Sequence, residues 1–188
     1  MSLMDRTISK YILEEQAWKF GSGGEIYNQH GEKVGSIKRK PLSMKSVIAL
    51  FDLDEKLVCM IKKKEVGSQQ IYEVEKPNGD LIGKARTGIE SFIGYINMYD
   101  SEEKHIFRVH SRVNMSSFKI TDPEDRQKVY AEIERVNMIP NKFAEVEGEK
   151  SRFSIHIKYM ETERILLLSY AIMVYDFYKK VDCIQRQM

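Results

Sequence analysis

The sequence predicts a mainly β fold: a closed barrel of about twelve antiparallel strands around a central hydrophobic C-terminal helix. Three observations predict it. A unit of 24 residues recurs six times without a gap, each copy alternates apolar and polar residues, and the last copy is followed by a segment apolar on every side.

The copies are "EKVGSIKRK", "KLVCMIKKK", "DLIGKARTG", "KHIFRVHSR", "KVYAEIERV" and "RFSIHIKYM", starting at Glu32, Lys56, Asp80, Lys104, Lys128 and Arg152. Their fourth and sixth columns hold Gly35/Ile37, Cys59/Ile61, Gly83/Ala85, Phe107/Val109, Ala131/Ile133 and Ile155/Ile157, all apolar or Gly. The fifth and seventh columns are polar throughout except for Met60. Successive strand side chains point to opposite faces, so this pattern is a strand with one dry and one wet side. A second run precedes each copy, with Ile48/Leu50, Tyr72/Val74, Ile96/Met98 and Ala144/Val146 as inward pairs; Gly24/Ile26 is weaker and Ile120/Asp122 breaks at its second member. Between the runs stand "QHGE", "DLDEK", "KPNGD", "YDSEEK", "TDPEDR" and "VEGEK", rich in the residues tight connections require. Each unit is therefore a β-hairpin. Gly35 and Gly83 mark a bulge or a close approach on the dry side.

Closure removes the two exposed edges of such a sheet, but about twelve strands enclose more space than their own side chains fill. "ERILLLSYAIMVYDFYKK", 163–180, is the expected occupant. From Ile165 to Phe177 only Ser169 and Asp176 are polar. As a helix that stretch rises about 20 Å, short of the ~30 Å hydrocarbon core of a bilayer, so its place is inside protein.

At 188 residues, 42% apolar and 31% charged, the chain is globular, and one domain over 4–180 accounts for it. The opening Met-Ser-Leu reads as an expression remnant and 181–188 as a tail. The net charge of +2 argues against nucleic acid as a partner. Its distribution is uneven, with nine Lys/Arg against three Asp/Glu over 33–64 and four against eight over 122–149. Cys59 and Cys183 lack disulfide or metal spacing, and no secretory signal opens the chain, so a cytoplasmic location is expected.

Six barrel hairpins followed by a hydrophobic helix ending near an Asp resemble the tubby C-terminal-like superfamily, which includes phospholipid scramblases and the LURP-one-related proteins. The resemblance runs from about Tyr11 to Lys180. The segments "IYNQHGEKVGSIKRK", "LFDLDEKLVCMIKKK" and "IYEVEKPNGDLIGKAR" look closest to the LURP-one-related branch. The Ile82–Arg86 segment is similar to the tubby segment carrying its phosphoinositide-binding Lys and Arg, which implies a headgroup role for Lys84 and Arg86. The acylated Cys-rich stretch and calcium segment of the scramblase branch are not evident, and 52–63 fails as an EF-hand loop because Leu57 and Lys63 replace the required Gly and Glu. Scrambling and calcium dependence do not transfer.

The resulting expectation is a non-enzymatic, monomeric binding module that recognises anionic phospholipid headgroups through outward-facing cations. Lys84 and Arg86 lead, and Lys38, Arg39 and Lys62, with Lys63 and Lys64, recur at matching ends of neighbouring repeats as a basic rim. Two alternatives stay open: these cations are a solvated strand face, or the barrel is a protein-interaction scaffold that binds no lipid. No metal or cofactor is expected. His105 and His110 are five apart and face opposite sides of a strand, and no nucleophile elbow, HExxH or phosphate-cradling loop is present. Trp18 is expected to pack over a barrel end, and Asp176 to be hydrogen-bonded at the helix end, or paired or protonated if it lies in the lumen.

Overall fold

The structure is a computed structural model that describes residues 2–16, 23–40, 46–66, 69–87, 95–111, 117–136, 150–159 and 163–185. Its strands are β1 (Lys10–Gln16), β2 (Gly23–Asn28), β3 (Lys33–Lys40), β4 (Val47–Asp52), β5 (Leu57–Val66), β6 (Gln69–Glu75), β7 (Leu81–Thr87), β8 (Tyr95–Asp100), β9 (His105–Ser111), β10 (Ser117–Thr121), β11 (Val129–Arg135) and β12 (Lys150–Ile157). One helix, α1 (Arg164–Gln185), follows. Every strand pairs with its chain neighbours, and β1 pairs with β12 through Lys10↔His156 and Leu13↔Phe153, which closes the barrel. The expected barrel is therefore present, with one change of membership. β1 lies outside the six hairpins, and β12 pairs directly with β11 through Ile133↔Ile155. The inward pair Ala144/Val146 of the sixth hairpin and Trp18 lie outside the described residues.

Four turns repeat one geometry at the 24-residue spacing. Gly31 (φ 79°), Glu55 (φ 58°), Gly79 (φ 91°) and Glu103 (φ 64°) occupy the left-handed region. Each donates its N–H to the carbonyl three residues earlier, at 3.1, 3.3, 2.9 and 3.3 Å. A one-residue register shift follows in each hairpin, between Ile26/Tyr27, Leu50/Phe51, Val74/Glu75 and Met98/Tyr99. This is a type I turn with a bulge, a three-residue hairpin loop that tightens the local twist.

Inward residues Ile37, Leu50, Ile61, Val74, Met98 and Val109 are fully or almost fully buried. The helix is buried on every face from Leu166 to Phe177, about 18 Å of rise. It touches opposite walls: the Ser169 hydroxyl lies 3.4 Å from the Cys59 thiol on β5, and the Tyr175 ring 3.8 Å from that of Phe153 on β12. It therefore threads the lumen. Each large apolar side chain buried there contributes roughly 1.5–3 kcal/mol. Arg164 anchors the helix entry by donating to the carbonyls of Ile8 and Arg6, both at 2.7 Å. The helix runs to Gln185 rather than stopping near Lys180, because no Gly or Pro interrupts 181–185.

The two inward glycines mark close approaches. A Cβ on Gly83 would lie 2.3 Å from the Tyr170 hydroxyl, and one on Gly35 would lie 2.6 Å from the Phe51 carbonyl. Leu3, set outside the domain on sequence, is fully buried and its carbonyl accepts the Tyr11 hydroxyl at 2.9 Å. Among the described residues no helix is long and apolar enough to cross a membrane.

Candidate functional site

The alternation of β7 dictates its two faces. Gly83, Ala85 and Thr87 are buried, while Lys84 and Arg86 project from the outer wall. Both cations converge on one carboxylate from the next turn. Lys84 Nζ donates to Glu103 Oε1, and Arg86 Nη2 donates to Glu103 Oε2 at 2.6 Å. Between them lies β8, where Tyr99 stands in register with Lys84 and Asn97 with Arg86. The Arg86 guanidinium sits 5.0 Å above the Tyr99 ring, a cation–π contact that orients it. On β9, Arg108 is in register with Asn97 and donates to its Oδ1 at 3.1 Å. Three cations on β7 and β9 thus border one short strip of wall.

The turn that carries Glu103 is itself held by Asp100, whose Oδ1 accepts the N–H groups of Glu102 and Lys104 at 2.9 Å each. The hydrogen bond from Lys84, with Arg86 assisting, keeps the Glu103 carboxyl below the usual carboxylate range, so it is ionised at neutral pH. From beneath, Tyr170 of α1 supports the strip by donating to the Tyr99 carbonyl at 2.7 Å. Burial raises the Tyr170 phenol well above its ordinary value, against the opposing hydrogen bond from the Lys84 backbone N–H. Helix packing and the position of the cations are therefore one structure.

The remaining cations of the expected rim separate into two groups. Lys62 is outward and shares a row with Glu73 and Lys84, but it pairs with Glu75 at 2.5 Å; Lys64 pairs with Glu73 at 2.5 Å. Lys38 is outward, 4.0 Å from Glu55 and 4.8 Å from the centre of the Phe51 ring. It stands four strands from β7, about 19 Å at the usual strand spacing, so it does not join Lys84.

Arg39 and Lys63 are not outward at all, which corrects the expectation for both. Arg39 turns into the lumen and donates to Asp176 Oδ1 at 2.6 Å, while the Tyr72 hydroxyl reaches Oδ2 at 3.3 Å. Lys63 is buried with its ammonium 5.4 Å from the centre of the Tyr72 ring. Asp176 is thus a paired lumen acid. The same period-two parity that makes Ile37 and Ile61 inward places Arg39 and Lys63 inward too, and that was the signal for them. For Glu103 and Arg108 no comparable signal existed, since their approach to β7 depends on cross-strand register.

His105 and His110 lie on opposite sides of β9, and burial lowers both pKa values, with Arg108 nearby acting in the same direction. No group of three or more His, Cys, Asp or Glu placed to hold a metal occurs among the described residues. Cys59 is buried, and burial pushes its thiol up to about 11, the opposite of an activated nucleophile. The outer wall carries Lys62, Glu73, Lys84 and Arg86 where a membrane-spanning barrel carries an apolar band.

A model described as LURP-one-related matches residues 9–176, from the start of β1 to Asp176 in α1. The chain is also similar in fold to an X-ray structure of a protein from Arabidopsis thaliana, with a TM-score of 0.58 and 13% identity, covering 94% of this chain and 98% of that one. At that identity the likeness concerns the fold alone. No curated protein matches the chain.

Proposed function

The chain belongs to the LURP-one-related family, within the tubby-like superfamily, and on that premise we propose that it is a non-enzymatic module that binds the phosphate of an anionic phospholipid headgroup on the wall formed by β7, β8 and β9. The observation that carries this reading is the convergence of Lys84 and Arg86 on the two oxygens of a single carboxylate. A pair of cations spaced to hold a two-oxygen anion holds a phosphate by the same contacts, and a guanidinium does so with a directed fork. Arg108, one strand beyond, extends the positive strip. Each such cation contributes roughly 1 kcal/mol towards an anionic bilayer surface, which suits a reversible, peripheral attachment at the cytoplasmic face. The closed barrel offers no free strand edge for sheet pairing, which suits a monomer.

Vesicle co-sedimentation tests the reading, comparing neutral vesicles with vesicles carrying a phosphoinositide, at low and physiological salt. The wild type is expected to pellet with the phosphoinositide vesicles, and the Lys84→Ala/Arg86→Ala double variant to stay in the supernatant. Equal pelleting of both proteins removes the assignment to this wall. Absence of wild-type binding at both salts overturns the lipid reading in favour of a protein-interaction barrel.

A further inference from the structure

The left-handed position of the repeated turn is filled by Gly31 and Gly79 in two hairpins and by Glu55 and Glu103 in the other two. Glycine adopts that conformation freely, whereas a residue with a Cβ is strained there. Retaining a glutamate at such a position points to work done by its side chain. In the hairpin of Glu55 the work is slight: its carboxylate lies 4.0 Å from Lys38, and the place equivalent to Lys84 is held by Ser36. In the hairpin of Glu103 both carboxylate oxygens are taken, one by Lys84 and one by Arg86. The cradle is thus occupied by an anion that the protein itself supplies.

We propose that Glu103 is a resident counter-ion that sets the ligand selectivity of the Lys84–Arg86 cradle, admitting dianionic phosphomonoesters and excluding singly charged carboxylates and phosphodiesters. This rests on the anion-binding reading of that wall. An incoming ligand must displace a tethered carboxylate. A monoanion brings no more charge than the group it replaces, and it has no tether to raise its local concentration. A phosphomonoester brings nearly twice the charge and a third oxygen, and Arg108 stands in the same row as Arg86, on the far side of Asn97. The apparent dissociation constant is the intrinsic one divided by the fraction of molecules whose cradle is open. A bridge made in about nine molecules of ten weakens binding about tenfold, and removing Glu103 restores it.

The test uses the full chain in four forms: wild type, Glu103→Gln, Glu103→Gly and Glu55→Gln. Glu103→Gly installs the residue that the sister turns carry at 31 and 79, so folding does not limit it. Glu55→Gln changes the net charge equally and leaves the cradle intact. Probes are inorganic phosphate and inositol trisphosphate by calorimetry, and vesicles containing phosphatidylserine alone or a phosphoinositide by co-sedimentation. Both Glu103 variants are expected to bind inositol trisphosphate about tenfold or more tighter than wild type and to acquire phosphatidylserine vesicles, with Glu55→Gln behaving as wild type. Tighter binding of the soluble phosphates without vesicle binding keeps the counter-ion role and overturns the lipid reading. Vesicle binding that Glu103 and Glu55 substitutions alter equally, or not at all, overturns the counter-ion role and leaves the lipid reading in place. Absence of binding by any form to any probe overturns both.

Discussion

Gly83→Ala puts the joint between barrel and helix under test. The added methyl would lie 2.3 Å from the Tyr170 hydroxyl, 2.8 Å from Leu166 Cδ2 and 3.1 Å from the Tyr99 carbonyl oxygen, all inside the 3.5–4.0 Å of an ordinary contact. The phenol must retreat by about 1 Å, which stretches its 2.7 Å bond to Tyr99 beyond hydrogen-bond range. Overpacking costs about 1–3 kcal/mol, and the buried pair left unsatisfied about 1–3 more. The lower backbone entropy of alanine in a strand returns about 0.5–1 kcal/mol. The net loss is about 1–5.5 kcal/mol with a midpoint of about 3, which at the midpoint lowers Tm by about 6–12 °C for a chain of this size. The assay is a double-variant cycle by thermal and urea unfolding. Tyr170→Phe alone loses about 1 kcal/mol with its hydrogen bond. In that background the hydroxyl is gone, so Gly83→Ala is expected to cost about 1 kcal/mol or less, a coupling of about 1–3 kcal/mol. Additivity within about 0.5 kcal/mol would refute the claim that the phenol and the Gly83 backbone compete for one space.

Three further outcomes follow from the lumen, from an exposed ion pair and from the histidines. Asp176→Ala strips the counter-charge from Arg39, whose side chain is 19% exposed against 11% for the acid, and is expected to cost about 3 kcal/mol in urea unfolding. Lys33→Ala, which removes a pair nearly half exposed on both sides, is expected to cost under about 1 kcal/mol. His105, His110 and His156 all have lowered pKa values, burial being the largest cause in each. Below about pH 6.5 the unfolded chain takes up protons that the folded chain refuses, so stability present above that pH declines as pH falls through the folded values. Tm measured from pH 7.5 to 5 is expected to drop, and replacing all three by Gln to flatten the decline; a Tm constant across that range would refute it.

The repeat could be read because strand parity is local. Ile37, Ile61, Ala85 and Val109 occupy the same column of the 24-residue unit and the same inner face of the barrel. Arg39 and Lys63 obey that parity as well, but their charge suggested the surface, and the hydrophobic column was not extended by one more inward step. β1 escaped notice for a different reason. "KYILEEQ" falls outside the 24-residue repeat, because its chain neighbour β2 already belongs to the first unit, and its role as the closing strand appears only through its pairing with both β2 and β12.

The sequence by itself determined the 24-residue repeat, the inward and outward faces of its strands, the buried helix and the place of Lys84 and Arg86 on the wall. These follow from a period of two, which any short window of chain contains, and from a spacing of twenty-four, which aligns those windows along the chain. Only the tertiary structure decided which charges meet. Lys62 finds Glu75 and Lys64 finds Glu73, while Lys84 and Arg86 share Glu103 from a turn 17 to 19 residues away in sequence. The physical reason is that ion pairing across a sheet depends on register and on the bulge that shifts it, and closure of the barrel sets both for all strands together.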